Sequence, residues 1–191
     1  MAQSKLHRTK ITAAPKSLEK ADQPSPFRLL TEAMEDHAWD IGIKLEYVNG
    51  LPVWEGSPVF RHQKKIDDIR RSIRANVGST DSCHCVSVAD LTILFPDGSI
   101  KRPDISIFCA EPTELDSLCT EIPAVVIEII SKGYEKKDTE ISLPFYLAQG
   151  LADIVIFDPA TNKVTHYHGG KSDTQNSPID LTFACGCRAA F

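Results

Sequence analysis

A chain of 191 residues is long enough to bury a real core and fits the size of one domain. With 42% hydrophobic and 25% charged residues, its composition is ordinary for a globular protein and excludes a disordered chain. A formal net charge of −5 excludes global attraction to nucleic acid, so any DNA contact needs a local basic surface.

Residues 1–24 are polar, carry Lys5, Arg8, Lys10, Lys16 and Lys20, and read as a flexible basic arm ahead of a single domain over 25–191. Pro24-Ser25-Pro26 opens a helix through about His37, with Ser25 as its cap and Leu29, Leu30, Ala33 and Met34 on one apolar face. Residues 43–48 alternate, Asn49-Gly50 is a strong hairpin signal, and residues 51–54 return. From His62 to Val77 the pattern is an amphipathic helix. Ile66, Ile69, Ile73 and Val77 form its apolar stripe, Lys64, Lys65, Arg70, Arg71 and Arg74 its basic face, and Gly78 its stop.

Residues 85–95 alternate, Pro96-Asp97-Gly98 is a turn, and residues 100–108 form the next strand. The 111–122 stretch is loop-like. Residues 124–130 are almost continuously apolar, as expected of a central strand covered on both faces. Residues 138–149 read as a helix that Pro144 shortens to begin near Ser142. Strands follow at 154–157 and 164–168, with a weak element near 181–183. The order predicts an α/β domain with a mixed central sheet flanked by helices.

Two acids interrupt the strand-like runs: Asp104, after Pro103, and Glu128, inside Pro123-Ala-Val-Val-Ile-Glu-Ile-Ile130. A carboxylate placed there loses its water and needs a hydrogen-bond network, a cation or a metal. Alternation puts Val126, Glu128 and Ile130 on one face, and Asp104, Ser106 and Phe108 on another. If the two strands are neighbours, the acids converge. A hard cation such as Mg²⁺ keeps several waters, so one or two carboxylates suffice to bind it. The bland alternatives are a turn acid at Asp104 and a buried acid paired with Arg or Lys at Glu128.

Pro103-Asp104, Glu128-Ile-Ile-Ser131, Asp138, Tyr146-Leu-Ala-Gln-Gly150 and Ile154-Val-Ile-Phe-Asp-Pro159 carry a resemblance to the Uma-type family of putative restriction endonucleases, within the PD-(D/E)XK nuclease superfamily. Leu45-Glu-Tyr-Val-Asn-Gly50 resembles that family's acidic hairpin, and His62 the histidine opening its next helix. The similarity covers roughly residues 27–185. It implies a restriction-endonuclease-like fold, with an N-terminal helix and hairpin before the central sheet. It implies Mg²⁺ or Mn²⁺ held by Asp104, Glu128 and the Ile129 carbonyl, with Glu46 as an additional acid. The implied reaction is hydrolysis of a DNA phosphodiester by a Mg-activated water. A homodimer that cuts both strands is a further expectation.

The superfamily's lysine two residues after the glutamate is replaced by Ile130 here, and the Uma-type position on the following helix holds Ser142. Lys136 and Lys137 are the candidate replacements, with Lys132, Lys101 and Arg102 also near the motifs. The competing function is a catalytically degenerate member that keeps the fold and binds nucleic acid or a protein partner.

No apolar run is long enough for a membrane span, and the basic N-terminus lacks the apolar stretch of a secretory signal, so a cytoplasmic protein is expected. Accordingly Cys83, Cys85, Cys109, Cys119, Cys185 and Cys187 read as reduced thiols. The pairs Cys83-His-Cys85 and Cys185-Gly-Cys187 offer four thiolates to zinc, but they lie far apart and lack the usual Cys-x-x-Cys spacing. His166 and His168 share a strand face and read as ordinary strand histidines.

Overall fold

The computed structural model describes residues 33–34, 37–38, 40–41, 43–75, 83–113 and 118–191. The basic arm, most of the expected first helix, Val77 and Gly78 lie outside these residues. Ala33, Met34, His37, Ala38 and Asp40 are helical.

Strands β1 (Ile43–Val48) and β2 (Leu51–Gly56) form the expected hairpin, with Asn49 and Gly50 both at positive φ in the turn. Helix α1 follows (Phe60–Ser72), then the two-residue strand β3 (Arg74–Ala75). The helix stops short of the expected Val77 because Ile73 turns extended and Arg74–Ala75 pair with the C-terminal strand. Ile66 and Ile69 of the apolar stripe are buried.

The alternating run after Cys85 is two strands, β4 (Val86–Ala89) and β5 (Ile93–Leu94). Asp90, at φ 53, breaks it, and the pieces join different sheets. The 100–108 run is likewise split into β6 (Ile100–Lys101) and β7 (Ile105–Phe108). Pro103 lies in the break, where its missing N–H and fixed φ favour an interruption. Strand β8 (Val125–Ile129) is buried throughout, as its composition demands.

The crossover from β8 carries a π-helical segment (Lys137–Ser142) that runs into helix α2 (Leu143–Ala148), with Pro144 in its first turn. Then come β9 (Asp153–Asp158), β10 (Lys163–His168), β11 (Lys171–Asn176), β12 (Asp180–Thr182) and β13 (Cys187–Ala190). Every residue of β11 is exposed and polar, so the strand leaves no apolar alternation in the sequence.

The described residues form three sheets. The central one has the order β11-β10-β9-β8-β7-β4, with β8 and β9 parallel and its other pairs antiparallel. A second has the order β2-β1-β6-β5, and a third β12-β13-β3. One face of the central sheet buries Ile105, Ile107, Ile127, Ile129, Val155 and Phe157 against α1 and the C-terminal strands. On the other face Val126, Ile154 and Ile156 meet Leu143, Phe145 and Tyr146 of α2.

The reading of all six cysteines as free thiols is corrected at one pair: Cys85 and Cys187 are joined by a disulfide. Cys83, Cys109, Cys119 and Cys185 are free. The sequence hid this pairing because 102 residues separate the partners, and only the packing of the C-terminal hairpin brings them together.

Candidate active site

Strand register places the two acids opposite each other. Ile105 pairs with Ile127 across the antiparallel β7–β8 ladder, and the next step of that ladder sets Asp104 against Glu128. The Asp104 backbone N–H donates to Glu128 Oε2 at 3.2 Å. Asp104 Oδ2 accepts the Ile129 N–H at 2.8 Å. Both acids are buried, Glu128 completely.

The rest of the network comes from the hairpin and its neighbour. The two-residue turn fixes the β1–β2 register, so Lys44 lies across from Glu55, and Glu46 shares their face of the hairpin. Strand β6 adds Lys101, the register neighbour of Glu46 one step beyond the Tyr47–Ile100 pair. Lys101 Nζ donates to Glu46 Oε2 at 2.6 Å and to Ser142 Oγ at 2.9 Å. Glu46 Oε1 accepts the Arg102 N–H at 2.8 Å.

Lys44 Nζ lies 3.3 Å from Asp104 Oδ1 and 3.6 Å from Glu55 Oε1. From the first turn of α1, His62 bridges two elements: its Nε2 is 3.2 Å from Asp104 Oδ1, and its Nδ1 is 3.0 Å from Ser131 Oγ. Tyr146 of α2 donates its hydroxyl to Glu128 Oε1 at 2.7 Å.

Of the two candidate lysines, Lys137 enters this network and Lys136 stays exposed. Lys137 Nζ donates to Glu55 Oε2 at 2.7 Å and lies 3.6 Å from Glu46 Oε2. It is also 3.5 Å from Asp138 Oδ1, an oxygen with no hydrogen-bond partner among the described residues.

The electrostatics separate the acids. Burial alone would raise Asp104, but the Lys44 charge and the His62 hydrogen bond hold it well below the usual carboxylate range. Glu46 is held at about 2: Lys101, Lys137 and Lys44 together overcome its burial. Burial raises Glu128, aided by the Asp104 charge, and pushes Asp138 up to about 8, aided by Glu128. Lys137 is raised: its burial is outweighed by Glu46, Glu128 and the other acids around it. The site sets five carboxyl groups, Asp104, Glu128, Glu46, Glu55 and Asp138, against the ammonium groups of Lys44, Lys101 and Lys137. Glu128 and Asp138 are the two pushed toward the protonated form without a further cation, and all five offer hard oxygen donors. That donor chemistry suits Mg²⁺ or Mn²⁺.

A cleft of about 260 Å³ opens on Asp104, lined by Lys44, Glu55, His62, Asp90 and Arg102 among others. Glu55 and His62 also line a larger neighbouring cleft, which runs along Ile130–Lys132 and Tyr134. The expected basic face of α1 is offset in part from within: Lys64 pairs with Asp68 and Arg71 with Asp67 and Asp68, while Lys65 stacks over the Phe157 ring and keeps its charge.

The sequence reading named Asp104, Glu128, Glu46, Ile129, Lys136 and Lys137 as candidates, of which all but the exposed Lys136 come together in the structure. It gave His62 only a motif match, and it missed Lys44 and Glu55. The hairpin alternation carried a signal for both, since a two-residue Asn-Gly turn fixes which residues face each other.

The fold is shared with a solved structure, a putative nuclease belonging to DUF820 from Anabaena variabilis: TM-score 0.54, 20% identity, 72% of this chain and 79% of that one covered. A second solved structure, the DrdV–DNA complex, is matched at TM-score 0.33 and 18% identity over 60% of this chain and 12% of that one. No curated protein matches the sequence significantly. Among the described residues no helix is long and apolar enough to cross a membrane. The family Uma2, described as putative restriction endonuclease, matches residues 33–183, four-fifths of the length, and this chain belongs to it.

Proposed function

We propose that this protein is a Mg²⁺- or Mn²⁺-dependent endonuclease that hydrolyses DNA phosphodiester bonds. The observation that carries the reading is the register-opposed pair Asp104 and Glu128, joined by the Asp104 backbone N–H donating to Glu128 Oε2, with Asp104 lining a solvent-open cleft and Glu128 buried behind it. Asp104, Glu128 and the Ile129 carbonyl would hold the cation, with Glu46 completing the acid set. When bound, the cation supplies Lewis-acid stabilisation of a phosphoryl oxygen and makes nearby water a better nucleophile.

Lys137 takes the part of the lysine that Ile130 displaces. Its ammonium is fixed by Glu55 and Glu46, and the surrounding acids keep it protonated. It therefore serves as a fixed cation that orients water and offsets charge developing on the phosphate, not as a proton acceptor. His62 and Lys44 hold the Asp104 carboxylate ionised and aimed. Lys136, exposed on the same turn, would meet a DNA phosphate. A homodimer would present two such sites to the two strands. The DNA substrate makes the cytoplasm its expected location.

The test is cleavage of plasmid and single-stranded DNA with Mg²⁺ or Mn²⁺, comparing the wild type with Asp104→Ala and Glu128→Ala. Wild-type nicking that both variants lose supports the reading. If the wild type cuts no faster than they do, the nuclease reading is wrong. DNA retardation without cleavage would then identify a degenerate, nucleic-acid-binding member of the family. Sedimentation of the free protein checks the dimer.

A further inference from the structure

Away from the carboxylate cluster, five of the six cysteines gather at one edge of the central sheet. Cys83 and Cys85 lead into β4. Cys109 follows β7, the partner of β4, and its carbonyl accepts the His84 N–H at 2.8 Å. Cys185 and Cys187 come from the C-terminal hairpin. There the Phe183 N–H donates to the Cys187 carbonyl at 2.8 Å, and Gly186, at φ 84, makes the turn tight enough to set both sulfurs on one spot.

The sulfurs of Cys83, Cys185 and Cys187 all lie within 4.8 Å of one another, and those of Cys83 and Cys187 are 3.3 Å apart. Four sulfurs placed about 2.3 Å from a tetrahedral zinc are roughly 3.8 Å from each other, so these three already stand near ligand spacing. The Cys109 thiol interacts with those of Cys83 and Cys185; it is exposed and stands outside the three-sulfur group, so as a fourth ligand it closes in when the metal binds. A disulfide between Cys85 and Cys187 accounts for two of the five sulfurs and leaves the convergence of the other three unexplained.

We propose that in the reduced protein Cys83, Cys109, Cys185 and Cys187 bind one Zn²⁺ as a structural tetrathiolate. The site fastens the C-terminal hairpin to the edge of the sheet whose strand β7 starts beside Asp104. Cys187 is common to the metal set and to the disulfide, so the two states exclude each other. A dithiol reductant donates two electrons and two protons to the Cys85–Cys187 bond, becomes a disulfide itself, and leaves two free thiols. Zinc then displaces the protons of its four ligands into solvent. Oxidation of Cys85 and Cys187 by a disulfide reverses the sequence and expels the metal.

The full chain, expressed with zinc and purified under a phosphine reductant, is assayed for metal by mass spectrometry, and the bound metal is then replaced by cobalt(II). The expected result is one zinc per chain and the thiolate charge-transfer absorption of tetrahedral cobalt. The metal is lost when the protein is oxidised and when Cys109→Ser or Cys185→Ser is introduced. It is retained in Cys119→Ser, whose sulfur packs in the other core, and in Asp104→Ala, so the outcome does not depend on the nuclease site. Reduced wild-type protein that holds no zinc overturns the proposal, whatever the variants do. Retention by Cys109→Ser together with loss in Cys85→Ser overturns this ligand set. The proposal stands or falls without reference to DNA cleavage.

Discussion

Lys101 Nζ lies 2.6 Å from Glu46 Oε2, and neither side chain reaches solvent. The pair ties the first hairpin to β6, two residues before the Pro103-Asp104 break. Because the Arg102 N–H donates to the other Glu46 oxygen, this one carboxylate fixes the backbone on the approach to Asp104. Glu46 is thus a positioning acid before it is a candidate ligand.

Lys101→Met should therefore cost stability. Removing one partner of a buried ion pair leaves the other charge uncompensated, a loss of about 3–5 kcal/mol. Urea unfolding of the single variant should show that loss, and Lys101→Met/Glu46→Leu should recover part of it. A single variant as stable as the wild type would mean that Lys137 and Lys44 alone suffice for Glu46.

Tyr146→Phe keeps the ring, which packs against Phe95 and Phe145, and deletes the donor to Glu128 Oε1. A completely buried carboxylate oxygen then lacks its hydrogen bond, at a cost of about 1–3 kcal/mol. The melting temperature measured in chelator should fall. No change would show that the oxygen is satisfied by water.

The acids predict opposite limbs of the stability profile in chelator. Asp138 titrates at about 8 when folded, above its unfolded value, so between those values the native state binds more protons. Stability then falls as pH rises, by up to about 1.4 kcal/mol per unit. Glu46, held at about 2, works the other way: its contribution is complete above the unfolded value and is lost as pH falls toward 2. Asp138→Asn should flatten the decline between pH 3.8 and about 8 and leave the Glu46 limb below it in place. Parallel profiles for variant and wild type would overturn the assignment.

Local chemistry made the hairpin, the central strand β8 and the acid pair legible. Asn49-Gly50 dictates its turn, and an acid in an otherwise apolar strand announces itself. What stayed hidden depends on tertiary reach. Nothing in the spacing of Lys136 and Lys137 says which ammonium turns inward; that is decided by the π-helical turn and by Glu55, 82 residues away. Residues 100–108 read as one strand because their alternation is continuous, while the Pro103 break sends their halves to different sheets. Nothing in the hairpin alternation marks Lys44 as buried, because its partner Asp104 lies 60 residues away.

His62→Ala removes a ring that contacts Asp104 Oδ1 on one side and Ser131 Oγ on the other. Partners that orient a metal-ligating side chain are typically worth roughly 10- to 100-fold in metal affinity, and a loss of that order is expected. Calorimetric titration with Mn²⁺ reads it directly. An unchanged affinity would restrict His62 to joining α1 to the loop after β8.

The sharpest comparison sets Lys137→Met against Lys136→Met. Both remove one ammonium from the same turn, but only Lys137 lies within the acid cluster. Loss of a preorganised cation at the reacting phosphate should lower kcat by roughly 100- to 1,000-fold, while Lys136→Met changes KM for DNA more than kcat. Lys137→Met also leaves Glu55 without its closest partner, so a fall in activity alone is ambiguous. Adding Glu55→Gln removes the stranded charge: it should restore stability without restoring kcat. If the double variant regains cleavage, Lys137 acts only by neutralising Glu55, and the cation facing the phosphate must be sought at Lys44, which lines the cleft.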